Sequence, residues 1–266
     1  MKVLLLLAGK SRRFWPLADK SLFPLCGKPL LAHQIDRLKA AGITDITLVG
    51  GAHNLANVRT LFPDLPIVEQ ENLGLGMRGA LLSALPGVGN EPVLIVSGND
   101  VIASEGYRLL LERAASDGVD GTILASRVTK YFPGGYLTLD GDRVKGIIEK
   151  PGEGKEPSDL VTIVAHIHKD PQRLLKALQE TPAEPDDGYE RALAVLFGEK
   201  VYHAVPYEGP WHPVKFPWHL LPLLEHLLHD VTAQQIHPSV QIHPTAVIQG
   251  NVRLEEGVRV FPHATI

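Results

Sequence analysis

The sequence predicts a doubly wound α/β domain with a mostly parallel sheet, followed by the start of a left-handed β-helix. Before Asp100, short apolar runs alternate with amphipathic runs of helical period, the pattern of a parallel sheet covered by helices on both faces. After it, strand-like runs are joined by Gly/Pro/Asp-rich turns and then give way to helical periods. In the tail, an aliphatic residue recurs every six positions from Ile236 through Ile242, Ile248, Leu254, Val260 and Ile266, with Pro, Ser, Thr, Asn and Gly between. Six-residue periodicity marks a β-helix, in which each repeat lays one short strand along a coil and points its aliphatic residue inward.

Strands are predicted at residues 3–7, 46–49, 66–68 and 93–96. Between them, residues 30–41 place Leu31, Ile35 and Leu38 on one helical face and stop at Gly42. Helices over 55–62 and 79–85 end at Pro63 and Pro86, because proline cannot continue a helix. The second half predicts strands at 122–128, 136–139, 144–149 and 160–167, with Asp140-Gly141-Asp142 as a hairpin turn. Residues 152–159 are polar and rich in glycine and proline, hence a surface loop. Helices follow over 171–180, 187–197 and 218–229. This gives a main domain over residues 1–232 and a partial β-helix over 233–266. The repeats make fewer than two coils, and an open coil end exposes apolar surface and strand edges. The expectation is that the chain is cut from a longer protein, or that another subunit caps the stub and makes a homo-oligomer.

Composition excludes several classes. Hydrophobic content of 44% with 21% charged residues is globular rather than disordered. A net charge of -4, from 26 Lys+Arg against 30 Asp+Glu, argues against nucleic acid as a partner, since counterion release needs a basic surplus. The first apolar run is shorter than the roughly 7–15 residues of a signal core, and none approaches the roughly 20 residues of a bilayer span. Cys26 is the single cysteine, so no intrachain disulfide can form, which suits a cytoplasmic location without membrane partners. Beside Gly27, that cysteine reads as a small packing residue.

Two motifs mislead. Gly9-Lys10-Ser11 resembles the end of a P-loop, but the glycine required five residues before Gly9 is Leu4, inside a strand. Gly74-Leu75-Gly76-Met77-Arg78-Gly79 spells a dinucleotide fingerprint, yet two βα units precede it, whereas the fingerprint normally opens the first. More informative is the loop after the first strand. Ala8-Gly9-Lys10-Ser11-Arg12-Arg13 joins a small-residue turn to three cations, with Lys20 seven residues further on. Exposed backbone N–H groups beside Arg and Lys suit a polyphosphate.

With Gly27-Lys28-Pro29-Leu30 leading into a helix, the chain resembles the sugar-1-phosphate nucleotidyltransferases. Other matching segments come in that family's order: Gln70 to Gly76, Ser97-Gly98-Asn99-Asp100, Pro133-Gly134-Gly135, Ile148-Glu149-Lys150-Pro151, Trp211 to Leu221, and the hexapeptide tail. The resemblance covers nearly the whole chain. It implies that a sugar-1-phosphate oxygen attacks the α-phosphorus of a nucleoside triphosphate, releasing pyrophosphate. Because that nucleophile is already an anion, catalysis reduces to positioning and charge neutralisation. By this resemblance Arg13 clamps the pyrophosphate and Lys20 sits between the two phosphates. Asp100 holds Mg²⁺, while Ala8, Gly9, Gln70 and Gly74 bind the nucleotide. Gly135, Glu149 and Thr162 lie at the sugar, Glu149 accepting hydrogen bonds from its hydroxyls, while Lys150 and Lys215 contact the sugar phosphate.

The departures are specific. Ser11 and Arg12 replace a glycine and a threonine of the first loop, and Thr162 stands where an asparagine is common. Pro213 occupies the place of a second metal-binding acid, and His219 that of another acid in the same segment. A catalytically silent nucleotide-sugar-binding subunit is therefore an alternative. Gln70 with Gly74 points to UTP or dTTP, while Arg13-Phe14-Trp15-Pro16-Leu17 resembles mannose-1-phosphate guanylyltransferases and would point to GTP. His212, His219, His226 and His229 raise a zinc reading, but the leucines around them favour histidines on the wetter side of a helix.

Overall fold

The structure is a computed structural model and describes residues 1–17, 19–182 and 187–266. Contacts divide it into two units, one of residues 1–24 and 28–217, the other of residues 25–27 and 218–266.

The larger unit is built on a nine-stranded sheet. In spatial order its strands are Ile67–Glu69, Ile46–Gly50, Lys2–Leu6, Val93–Ser97, Leu160–His168, Gly121–Arg127, Tyr202–Pro206, Arg143–Glu149 and Gly135–Asp140. The first four are parallel, as expected. The sheet as a whole is mixed rather than mostly parallel. Leu160–His168 runs antiparallel to both Val93–Ser97 and Gly121–Arg127. Gly135–Asp140 and Arg143–Glu149 form the predicted hairpin about Gly141, whose φ of 62° is the left-handed conformation glycine accepts. A hairpin reverses direction in a few residues, whereas each parallel pair needs a crossover helix.

Helices α1 (Leu30–Ala40), α2 (Leu55–Leu61), α3 (Gly76–Ala84), α4 (Ser104–Ala114), α5 (Pro171–Glu180) and α6 (Gly188–Glu199) cover the sheet. Leu4, Leu6, Val93 and Ile95 face α3, α5 and α6, while Val3, Leu5, Leu94 and Val96 face α1 and α4. Burial on both faces is why these strands read as unbroken apolar runs. Among the described residues, no helix is long and apolar enough to cross a membrane.

The smaller unit holds α7 (Leu220–His229) and the tail. Gln235–Ile236 pairs in parallel with Arg253–Leu254, and Gln241–Ile242 with Arg259–Val260, each three repeats further on. The inward face differs from the predicted one. Leu254 and Val260 are buried, but Ile236 is 41% exposed and Ile242 38%. The interior is shared with a second six-residue line, Val240, Ala246, Val252, Val258 and Ala264. These small side chains pack with Leu254 and Val260, whereas Ile236 and Ile242 remain largely open to solvent.

Candidate active site

In parallel α/β sheets, ligands bind beyond the carboxyl ends of the strands, and two adjoining cavities open there. The first is lined by Leu6, Ala8, Gly9, Lys10, Gln70, Leu73, Gly76, Met77, Ala80, Ser97 and Asn99. The second contains Arg13, Lys20, Asp100, Phe132, Gly135, Glu149, Lys150, Thr162, Glu190, Trp211 and Lys215. Met77, Ser97 and Asn99 line both, so the two form one continuous cleft.

On the first side, a side chain at Gly9 would meet nothing within 4 Å, so the glycine keeps cavity space open rather than relieving packing. Buried Gln70 donates through Nε2 to the carbonyls of Asn72 and Gly76, both at 2.8 Å. Both amide protons are thus engaged in shaping the loop that leads into α3. The arrangement leaves Oε1 as the atom able to meet a ligand. Gly74 lies in that loop, its N–H donating to Asn72 Oδ1 at 3.0 Å, but Gly76 rather than Gly74 lines the cavity. Gly79 is fixed by packing: a Cβ there would stand 2.5 Å from the Asn72 carbonyl.

At the centre, four charged groups converge. Burial lowers Lys20 to about 8, an effect that the nearby Asp100 carboxylate opposes and the Arg13 charge reinforces. Lys20 Nζ donates to the Val214 carbonyl at 3.2 Å. Burial raises the Asp100 carboxyl, against the pull of the Trp211 hydrogen bond, Lys215, Ser97 and Lys20. Trp211 Nε1 donates to Asp100 Oδ1 at 3.1 Å. Lys215 donates to the Pro133 carbonyl at 2.7 Å and lies over the Phe132 ring, 3.9 Å from its centroid. Burial lowers its ammonium too, while Asp100 and Glu149 raise it. The Arg13 guanidinium lies over the Phe216 ring at 5.4 Å. Arg12 turns elsewhere, into a neighbouring cavity with Trp15, His53 and Asn57.

Asp100 is held from behind. Gln34 Nε2 on α1 donates to the carbonyls of Ser97 and Asp100 at 3.1 and 3.0 Å. Gly98 presses against the first strand, where a Cβ would stand 2.6 Å from the Leu6 carbonyl oxygen. Backbone cannot yield as a flexible side chain can. Gly98→Ala is therefore expected to lower stability by about 1–3 kcal/mol and to displace Asp100; a melting temperature equal to wild type would show that the strand end tolerates the shift.

The residues fit a magnesium ion only in a restricted way. Mg²⁺ commonly takes one or two carboxylates with phosphate oxygens and water. Pro213 is the register partner of Asp100 across a short antiparallel pair, so the place expected to carry a second acid lies beside Asp100 and offers no carboxylate. Among the described residues, no group of three His, Cys, Asp or Glu could hold a metal ion. With Trp211 on one oxygen, Asp100 can supply a single-carboxylate site completed by a bound triphosphate.

At the far end, the Lys150 ammonium lies 3.2 Å from Glu149 Oε1. A Cβ at Gly135 would stand 2.8 Å from Ile147 and 3.2 Å from Thr162 Oγ1, so glycine lets the hairpin close over this end. Glu190, in the first turn of α6, joins the same wall. Sequence reasoning missed it, since an acid in a helix's first turn reads simply as a favourable partner for the helix dipole.

The cleft thus runs from the loop ahead of α3, through a cationic centre, to an end lined by Glu149 and Glu190. The chain belongs to the MobA-like NTP transferase domain family, which it matches over residues 3–243. It is 25% identical to a bifunctional sugar-1-phosphate nucleotidylyltransferase/acetyltransferase of Sulfurisphaera tokodaii over 98% of its own length and 65% of that protein's. It is 26% identical to the bifunctional protein GlmU of Methanococcus maripaludis, over 99% and 62% respectively, and so spans less than two thirds of either relative. A mannose-1-phosphate guanyltransferase of Hypocrea jecorina is 26% identical over 94% of this chain and 74% of its own. Among solved structures, a UDP-glucose pyrophosphorylase complexed with UDP-glucose shares the fold with a TM-score of 0.74 at 18% identity, covering 86% of this chain and 98% of that one. The UTP-bound UGPase of Acinetobacter baumannii gives 0.72 at 18%, over 89% and 94%.

Proposed function

We propose that this chain is a sugar-1-phosphate nucleotidyltransferase, moving a nucleotidyl group from a nucleoside triphosphate to a sugar-1-phosphate and releasing pyrophosphate. The observation that carries the reading is the continuous cleft, with Arg13, Lys20, Lys215 and Asp100 at its middle. Ala8, Gly9 and Gln70 take the nucleoside end. Arg13 holds the leaving pyrophosphate through a planar fork suited to two oxygens. Lys20 lies between the α-phosphate and the attacking phosphate, offsetting their repulsion, and Lys215 does so from the sugar side. Lys150 contacts the sugar phosphate, while Gly135, Glu149 and Thr162 lie at the sugar itself. Asp100 is the residue that would hold Mg²⁺, which when bound neutralises charge on the triphosphate.

UTP or dTTP is the favoured donor on the resemblance of Gln70 with Gly74 to pyrimidine-using members; Gln70 Oε1 would accept from a ring N–H, which uracil, thymine and guanine carry and adenine lacks. GTP is the competing donor, supported by the Arg13 to Leu17 segment and the guanyltransferase relative. Pro213 beside Asp100 favours a second reading, a silent subunit that binds nucleotide-sugar without turnover. We place the protein in the cytoplasm, and read the tail as a left-handed β-helix through which copies of the chain associate. Pyrophosphate release measured over five triphosphates and several sugar-1-phosphates decides between the readings. Release with one pair establishes the transferase; thermal stabilisation by nucleotide-sugar without release establishes the silent subunit.

A further inference from the structure

We infer that Glu190 is a specificity-determining residue that pairs with Glu149 to recognise the sugar ring, restricting the acceptor to sugar-1-phosphates with neutral hydroxyls on that face. The inference rests on the nucleotidyl-transfer reading and extends it to the class of sugar. Its basis is the order of charges along the cavity wall. Asp100 interacts with Lys20 and Lys215, Lys215 in turn with Glu149 and Lys150, and those two with Glu190. Cations therefore sit where phosphates belong, and the wall ends in two neighbouring carboxyls. A sugar ring attached to the acceptor phosphate reaches that end.

The placement of Glu190 is enforced. Its neighbour Tyr189 is fully buried beneath the sheet, its hydroxyl 2.8 Å from His166 Nδ1 and 3.1 Å from His168 Nε2. These contacts pin the first turn of α6, so that the next residue joins the cavity lining. Burial, then the Glu149 charge, lifts the Glu190 carboxyl to about 7. Held this high, the Glu190 carboxyl offers a donor next to the acceptor oxygens of Glu149, the pattern that adjacent sugar hydroxyls satisfy. A carboxylate on the sugar would add a further negative group to a desolvated site where the Glu149 charge already lifts Glu190.

The test combines variants with substrate analogues. Glu190→Ala is expected to raise KM for the accepted sugar-1-phosphate about tenfold, the scale of one buried hydrogen bond, with the triphosphate KM unmoved. Glu190→Gln, which keeps a donor and the side-chain volume, is expected to lose less. A deoxy analogue lacking the contacted hydroxyl should lower wild-type affinity without adding to the Glu190→Ala loss. A uronic acid 1-phosphate should turn over far more slowly than its neutral counterpart. Losses that add for every deoxy analogue, or a uronate accepted as readily as the neutral sugar, would overturn the assignment. Wild-type protein that releases no pyrophosphate with any sugar-1-phosphate would instead remove the reading beneath it.

Discussion

Replacing Lys20 by Ala is expected to lower kcat by about 10²–10³-fold, the usual scale for one preorganised charge aimed at a developing transition state. Triphosphate affinity should fall much less. The attacking and attacked phosphates are both anions, and their repulsion grows as they close on each other. A cation between them therefore interacts more strongly in the transition state than in the ground state, which is the condition for raising kcat rather than merely binding. Lys20 is suited to this because it is half-buried and fixed to the Val214 carbonyl, so its charge is poorly screened and already oriented. Lys20→Arg should recover only part of the loss, since the guanidinium is broader and flatter than a point-charge ammonium. Pre-steady-state release of pyrophosphate at saturating substrate separates the step. Equal rates for wild type and Lys20→Ala would show that the ammonium takes no part in it.

Much of this centre was legible before any coordinates, for a physical reason. A strand buried on both faces must be apolar throughout, so the switch from Leu7 to Ala8-Gly9-Lys10, or from Val96 to Ser97-Gly98-Asn99-Asp100, marks where the chain leaves the sheet and can meet a ligand. Other elements were hidden by the same logic. Helix α4 buries Tyr107, Leu110 and Ala114, a helical spacing diluted by Arg108, Glu112 and Arg113 between them, and it went unpredicted. Strand Tyr202–Pro206 also escaped notice: it has few aliphatic residues, yet it lies between two neighbours, covering Gly121, where a Cβ would come 2.2 Å from the Tyr202 ring. Its place depends on pairing with residues far away in sequence. The tail misled differently. Two six-residue lines coexist, and the larger aliphatics drew attention from the valines and alanines that share its interior. Glu190 lies beyond sequence reasoning, because it matters through a cavity wall built by other elements, whereas Pro213 stands out in the sequence and its register opposite Asp100 gives the physical reason.

The histidines that matter most for stability lie outside the site. His166 and His168, two apart on one strand, share one face of the sheet and form a buried network with Tyr189 and Tyr202, the His168 Nδ1 to Tyr202 hydroxyl distance being 2.7 Å. Burial pushes both rings down to about 3; the Ile163 backbone partly opposes this at His166, and the His166 ring adds to it at His168. Unfolded histidine takes up a proton near 6.5. The unfolded state therefore binds more protons than the folded one between about pH 6.5 and 3, and the stability these rings confer is complete above that window and lost as pH falls through it. For two rings, the loss between pH 7.5 and 5 is about 4 kcal/mol, a large share of the roughly 5–15 kcal/mol of a typical domain. Glu190 and Asp100 act in the opposite direction, because a raised carboxyl pKa favours the folded state as pH falls. The histidine share is accordingly read as a difference. Urea unfolding of wild type and of the His166→Gln, His168→Gln double variant at both pH values should show the stability gap between them narrowing by about that amount at pH 5. A gap independent of pH would mean that the two rings remain neutral in the unfolded chain or become protonated without disturbing the fold. Either outcome would refute the account of them as an acid-sensitive support for the turn that carries Glu190.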